Sequence, residues 1–145
     1  MLTKSEKETF DFAKKYALKL KGGEIIGLIG DLGAGKTIFA KGLALGLGVK
    51  ETVTSPTFVL MKIYPIKSRA SKIKFLCHID AYRVKKAKDI EAIGAGDYFD
   101  RLDTVTVIEW ADRILSFLPE KMIVIDFALY KNNRRNIHIK KNLYE

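Results

Sequence analysis

The stretch Gly30-Asp31-Leu32-Gly33-Ala34-Gly35-Lys36-Thr37 constrains the fold more than any other part of the chain. It carries the Gly-x-x-x-x-Gly-Lys-Thr spacing, in which a loop of small residues turns successive backbone N–H groups around one polyphosphate. Glycines are needed because side chains would keep the backbone from closing on the phosphates, and because parts of such a loop take φ above zero. Lys36 offers a point charge to the β- and γ-phosphates, and the Thr37 hydroxyl suits the shell of a Mg²⁺ that carries them. The pattern has meaning only between a strand and a helix, and both are legible. Ile25-Ile26-Gly27-Leu28-Ile29 is an apolar strand, and Ile38 to Leu47 reads as the helix whose N-terminus adds partial positive charge. A nucleotide is therefore expected against Asp31, Leu32, Gly33, Ala34, Gly35, Lys36, Thr37 and Ile38.

At 145 residues the chain fits one domain, expected to span 1–145 and to build its core without staples. Hydrophobic residues make up 48% and charged residues 30%, which excludes a disordered chain. No apolar run approaches a membrane span, and Met1-Leu2-Thr3-Lys4 leads into charge rather than a signal-peptide core, so a cytoplasmic location is expected. Cys77 is the only cysteine, which excludes an intramolecular disulfide and argues against a cysteine-based metal site. Lys and Arg number 26 against 17 Asp and Glu, for a net charge of +9. That excess is compatible with an RNA or acidic-protein partner and requires neither.

Ser5-Glu6-Lys7-Glu8 has capping-box spacing, and Phe10, Ala13, Tyr16, Ala17 and Leu20 follow at helical intervals. A first helix is expected from about Glu6 to Leu20, stopping at Gly22-Gly23. Ser5 and Thr9 at its start are either plain capping and surface groups or neighbours of the nucleotide base, the plain reading being favoured for Thr9. Beyond the second helix, Ser55-Pro56-Thr57-Phe58 reads as a loop, since Pro56 has no N–H and pushes Ser55 to an extended shape. Such a loop beside a nucleotide presents a hydroxyl to the metal or the γ-phosphate.

Phe58 to Ile66 and Ile73 to Ile79 read as strands joined by a basic hairpin tip, Lys67 to Lys72. The second run ends in His78-Ile79-Asp80-Ala81-Tyr82-Arg83. A carboxylate at the C-terminal end of a strand is where a parallel sheet opens onto its ligand, so Asp80 is placed to hold Mg²⁺ directly or through water. His78 is either a base or a strand residue on the same face as Asp80. Lys85 to Ile93 reads as a short helix interrupted at Gly94 and Gly96. Thr104 to Ile108 is a further strand, ending in Glu109-Trp110. Asp80 and Glu109 together offer a metal ligand and a group that orients an attacking water. Asp112 to Leu118 is expected to be helical. Met122 to Leu129 and Asn136 to Ile139 read as strands joined by a polar hairpin, from which Arg134 or Arg135 can reach a phosphate.

Taken together, Gly30–Thr37, Ser55-Pro56-Thr57-Phe58, His78-Ile79-Asp80-Ala81-Tyr82-Arg83, Asp97-Tyr98-Phe99 and Ile108-Glu109-Trp110 resemble the bacterial TsaE family over nearly the whole chain. The resemblance implies an α/β P-loop NTPase fold, a parallel sheet core flanked by antiparallel strands and helices. It further implies an ATPase, weak alone, that works with two partner proteins in threonylcarbamoyladenosine modification of tRNA, with tRNA met directly or only through those partners, and no membrane. Carried over by position, Lys36 would hold the phosphates, Thr37 and Glu109 would bind Mg²⁺, and Asp80 would assist metal or water. Ser5, Thr57, Trp110 and Arg135, the last slightly ahead of Arg134, would lie near the nucleotide. Ile38 departs from the second threonine that many relatives have after Thr37.

A small-metabolite kinase is the alternative, but it needs an acceptor pocket and usually an arginine-rich lid, whereas Arg83 and Arg101 are scattered. A nucleotide-gated RNA-binding module acting through Lys67, Arg69, Lys72 and Lys74 is a second. A GTPase is disfavoured because no Asn-Lys-x-Asp segment occurs.

Overall fold

The computed structural model describes every residue except Arg69, Leu143 and Glu145, so the Arg69 part of the basic tip lies outside the described residues. The elements in chain order are β1 (Leu2–Thr3), α1 (Glu6–Ala17), β2 (Ile25–Gly30), α2 (Lys36–Leu47), β3 (Met61–Pro65) and β4 (Phe75–Asp80). There follow α3 (Ala87–Ala92), α4 (Gly96–Phe99), β5 (Thr104–Glu109), a 3₁₀ stretch (Ala111–Phe117), β6 (Ile123–Leu129), a short 3₁₀ turn (Lys131–Asn133) and β7 (Arg135–Lys140). The strands form a single sheet in the order β1-β7-β6-β2-β5-β4-β3. Its centre, β6-β2-β5-β4, is parallel, while β7 and β1 at one margin and β3 at the other run antiparallel to their neighbours. This is the mixed α/β, P-loop NTPase-like architecture anticipated from the sequence.

Strand alternation divides the interior into two layers. Ile26 and Leu28 of β2, Leu76 of β4, Val105 and Val107 of β5, and Ile125 and Phe127 of β6 pack beneath α1 and α2 with Phe39, Ala40, Leu43 and Ala13. The opposite face carries Ile25, Cys77, Ile79, Ile108 and Val124 against Ile90, Ile114 and Met122. All six residues of β5 are buried, as expected of a parallel strand covered on both faces. Two glycines bring α1 and α2 into backbone contact. A Cβ added to Gly42 would stand 2.4 Å from the Phe10 carbonyl oxygen, and one on Gly46 2.4 Å from that of Lys14. Among the described residues no helix is long and apolar enough to cross a membrane.

Several boundaries differ from expectation for identifiable reasons. Regular α1 stops at Ala17, because Leu18, Lys19 and Leu20 turn their N–H groups to the carbonyls three residues back, the tightened last turn common at helix ends. Helix α2 starts two residues early, at Lys36, capped by Gly35 at φ 112°. Phe58 to Leu60 are not strand: the Leu60 N–H bonds to the Pro56 carbonyl and Leu60 takes φ 67°, so β3 begins only at Met61. As an edge strand, β3 tolerates Pro65. Ile73 and Lys74 precede the start of β4 at Phe75, the Lys74 N–H bonding to Asp103 instead. Helix α3 is confined to Ala87–Ala92, and the stretch after Trp110 is 3₁₀ with a break at Ile114. Strand β6 begins at Ile123, and β7 takes in Arg135 because that residue pairs on both sides, with Leu129 of β6 and Thr3 of β1. The two-residue β1 had no signature of its own.

Candidate functional site

Strands β2, β4 and β5 end at one edge of the sheet, where Glu109 pairs with Leu28 on one side and Asp80 on the other. Because side chains alternate, His78, Asp80 and Glu109 all point to the α2 face, the side on which Gly30–Thr37 turns over. The glycines of that loop differ in what they do. Gly30, at φ 153°, has no room for a side chain, since a Cβ would meet the Phe127 carbonyl oxygen at 2.6 Å. Gly33, at φ 78°, has open space where a side chain would stand, and it lines a cleft of about 140 Å³. The cleft is lined by Leu32, Gly33, Gly35, Lys36, Thr37 and Ile38, together with Glu6, Glu109, Trp110 and Arg135 from elsewhere in the chain.

Lys36 is folded back on its own loop. Its Nζ donates to the carbonyls of Gly30 and Asp31, the latter at 2.8 Å, and lies 3.9 Å from the centre of the Trp110 ring. Burial lowers the Lys36 pKa below the ordinary lysine value, and Glu109, Asp112, Asp31 and Asp80 oppose that shift only in part. Trp110 is held over the ammonium by a left-handed backbone (φ 59°, ψ 41°), a conformation that costs a non-glycine residue about 1–2 kcal/mol. The ring also packs against Tyr82, with centroids 4.9 Å apart, and both lie beneath the Arg113 guanidinium.

Glu109 is the hub. Thr37 Oγ1 donates to its Oε1, while Ser55 Oγ donates to Oε2 at 3.0 Å and His78 Nε2 lies 2.6 Å from the same oxygen. The carboxyl is 2% exposed, and burial alone would raise its pKa. The bonds from His78, Thr37 and Ser55 outweigh burial and hold it below the ordinary glutamate value. Beside it, Asp80 accepts from Thr57 Oγ1 at 3.2 Å and from the Tyr82 N–H at 2.9 Å. The donor set of Thr37, Ser55, Asp80 and Glu109 is oxygen only, which fits a hard cation such as Mg²⁺. Among the described residues no three His, Cys, Asp or Glu side chains form a closed metal cage. Mg²⁺ commonly takes one or two protein oxygens and fills the rest of its shell with phosphate and water.

The remaining expected residues fall into place less evenly. Arg135 is buried, reaches the cleft beside Gly35, donates to the Asn133 carbonyl at 3.1 Å and leaves its Nε without a partner among the described residues. Arg134 is exposed and stays away from the cleft. Ala34 is fully buried beneath the loop, and Asp31 is exposed on its outside. Ser5 caps α1, accepting from the Glu8 N–H at 3.1 Å, and it is the next residue, Glu6, that lines the cleft. Thr9 is not the surface group expected: it is fully buried, bonded to Thr3 at 2.8 Å, and a Cβ added to Gly35 of the loop would stand 3.7 Å from its methyl. Thr57 and Asp80 form a pair alongside the cleft rather than in its wall. Ser55, singled out only as part of a loop, turns out to be the hydroxyl on Glu109, and its position two residues before Thr57 was the available signal. His78 lies behind the carboxylate and off the cleft wall, not in a base's position.

Residues 3–137 match the model of the family described as threonylcarbamoyl adenosine biosynthesis protein TsaE. The chain is 37% identical over 138 residues to the tRNA threonylcarbamoyladenosine biosynthesis protein TsaE of Treponema pallidum (strain Nichols), covering 95% of this chain and 97% of the relative. It is also 37% identical over 135 residues to the protein of the same name from Bacillus subtilis (strain 168), covering 93% and 80%. Among solved structures, the crystal structure of Bacillus subtilis YdiB superposes with a TM-score of 0.74 at 33% identity, covering 94% of this chain and 80% of that one.

Proposed function

This chain belongs to the TsaE family, and from that premise we propose that it serves tRNA threonylcarbamoyladenosine biosynthesis as a P-loop ATPase, weak alone, driving or resetting a complex with two partner proteins. The observation that carries this reading is the meeting, at one sheet edge, of an open glycine loop with a buried carboxylate bonded to the loop's own threonine. The N–H groups of Gly33 to Thr37 would receive the phosphates of ATP, and the Lys36 ammonium would exchange the Gly30 and Asp31 carbonyls for phosphate oxygens. Arg135 and Trp110 flank that space. Thr37 and Glu109 would hold Mg²⁺, with Asp80 assisting, and the ion would supply neutralisation of phosphate charge. Asp80, fixed by Thr57 and the Tyr82 N–H, has the carboxylate to align a water, and Glu109 keeps the Thr37 hydroxyl turned toward the site. Among the described residues, no arginine-rich lid or second pocket at the cleft favours a kinase acceptor.

The test is ATP hydrolysis by the purified chain, alone and then with the two partner proteins and tRNA. Slow release of phosphate alone, faster release in the mixture and formation of modified adenosine are expected. Unchanged hydrolysis with no modified adenosine overturns the reading. Lys36→Ala is expected to abolish hydrolysis while leaving the circular dichroism spectrum intact, because the side chain contacts loop carbonyls and one ring rather than the apolar layers.

A further inference from the structure

His78 has no part in the reading above, yet it is buried on strand β4 with a side chain 1% exposed. Its Nε2 lies 2.6 Å from Glu109 Oε2, and its Nδ1 has no partner among the described residues. A proton on Nδ1 would be a buried donor with nothing to receive it, whereas a proton on Nε2 is donated to a carboxylate, so the Nε2–H tautomer fits the site. We infer that His78 is the positioning residue that fixes the Glu109 carboxylate for the Mg²⁺–nucleotide site, a role that rests on the nucleotide reading given above.

The three donors to Glu109 are not equivalent. Ser55 sits in a stretch with neither helix nor strand, and the Thr37 oxygen has a second task in the proposed site. His78 alone comes from a strand paired on both sides, opposite Lys62 of β3 and Val107 of β5. When a nucleotide and its metal arrive, the Thr37 hydroxyl is drawn to the metal and Ser55 is held only by an irregular loop, whereas the imidazole stays on its strand. It meets the carboxylate from the sheet side, away from the cleft, and so orients Glu109 without occupying the space of the ligand. Groups that anchor a metal-ligating side chain from behind in this way set metal affinity, and their loss commonly costs 10–100-fold.

The experiment compares the whole chain with His78→Leu and His78→Gln, titrating a fluorescent ATP analogue in MgCl₂ and in EDTA. Leu keeps apolar bulk and removes the donor; Gln returns an N–H at similar reach. His78→Leu is expected to lose about 10–100-fold of affinity in MgCl₂ and to match the wild type within about twofold in EDTA, with His78→Gln recovering most of the loss. Unaltered Mg²⁺-dependent affinity in His78→Leu, an equal loss in both buffers, or no recovery by Gln overturns the inference. Should His78→Leu fail to fold, the wild-type chain decides by ¹⁵N-histidine NMR, assigned with His138→Gln. A protonated Nε2 and bare Nδ1 that respond to the Mg²⁺ nucleotide but not to nucleotide in EDTA are expected, and the opposite tautomer or no response overturns it. A wild type that binds no nucleotide refutes the ATPase reading itself, a different result from any of these.

Discussion

The loop glycines divide into one kept for the fold and one kept for the ligand, and alanine at each separates the two roles. Gly33→Ala leaves the new methyl in open space, so its structural cost is the left-handed backbone at φ 78° alone, about 1–2 kcal/mol. For a chain of this size that is a fall of about 3–6 °C in Tm. Gly33 is nonetheless part of the cleft lining, where the loop N–H groups would meet phosphate, and a methyl there would crowd that contact. Losing one charge-assisted hydrogen bond there costs about 1.5–3 kcal/mol, or about 10–150-fold in Kd for ATP. Gly30→Ala inverts the balance. Its methyl would lie 2.6 Å from the Phe127 carbonyl oxygen, a backbone atom fixed in β6, so steric cost adds to backbone cost. A loss above about 3 kcal/mol and about 9 °C is expected. Thermal melts of both variants without ligand, followed by titration of a fluorescent ATP analogue, provide the comparison. Wild-type affinity in Gly33→Ala, or a larger fall in Tm for Gly33→Ala than for Gly30→Ala, refutes the assignment.

Trp110 is the only tryptophan, and the Lys36 ammonium sits 3.9 Å from its ring. Its emission should therefore change saturably as ATP draws Lys36 away, and not at all in Lys36→Ala; silence while binding is seen by another method contradicts the stacked starting state. Glu109 titrates below the ordinary glutamate value, so its stabilisation is complete above that value and is lost as pH falls through the depressed folded one. Wild type and Glu109→Gln should thus differ in Tm by a constant margin from neutral pH down to the ordinary carboxylate range, with the margin shrinking below it. A margin that widens in acid contradicts that sign.

What could be read from residues alone was what depends on neighbours in the chain. Gly30–Thr37 carries its own strand and helix, and Asp80 and Glu109 announce themselves as carboxylates at the ends of apolar runs. The rest depends on pairing between distant segments. His78 meets Glu109 across 31 residues, through a β4–β5 register that no local pattern encodes. Arg135 was barely separable from Arg134, because the choice is made by pairing with both β6 and the two-residue β1. Ser55 and Thr57 look alike in sequence, yet one reaches Glu109 and the other Asp80. Trp110 was marked as near the nucleotide, but its left-handed backbone has no signature in a large aromatic residue.

The glycine contacts between α1 and α2 have a mechanical side. Where helices touch through side chains, rotamer changes let one slide over the other; where a carbonyl lies against a glycine Cα, as at Gly42 and Gly46, no such lubricating layer exists. The two helices form a rigid strut behind Thr37. A displacement begun at the glycine loop is thereby denied an outlet through the helical layer. The bonded path left to it would run across Glu109 to Ser55 and the turn that follows, where Phe58 and Val59 stand 83% and 66% exposed at the surface.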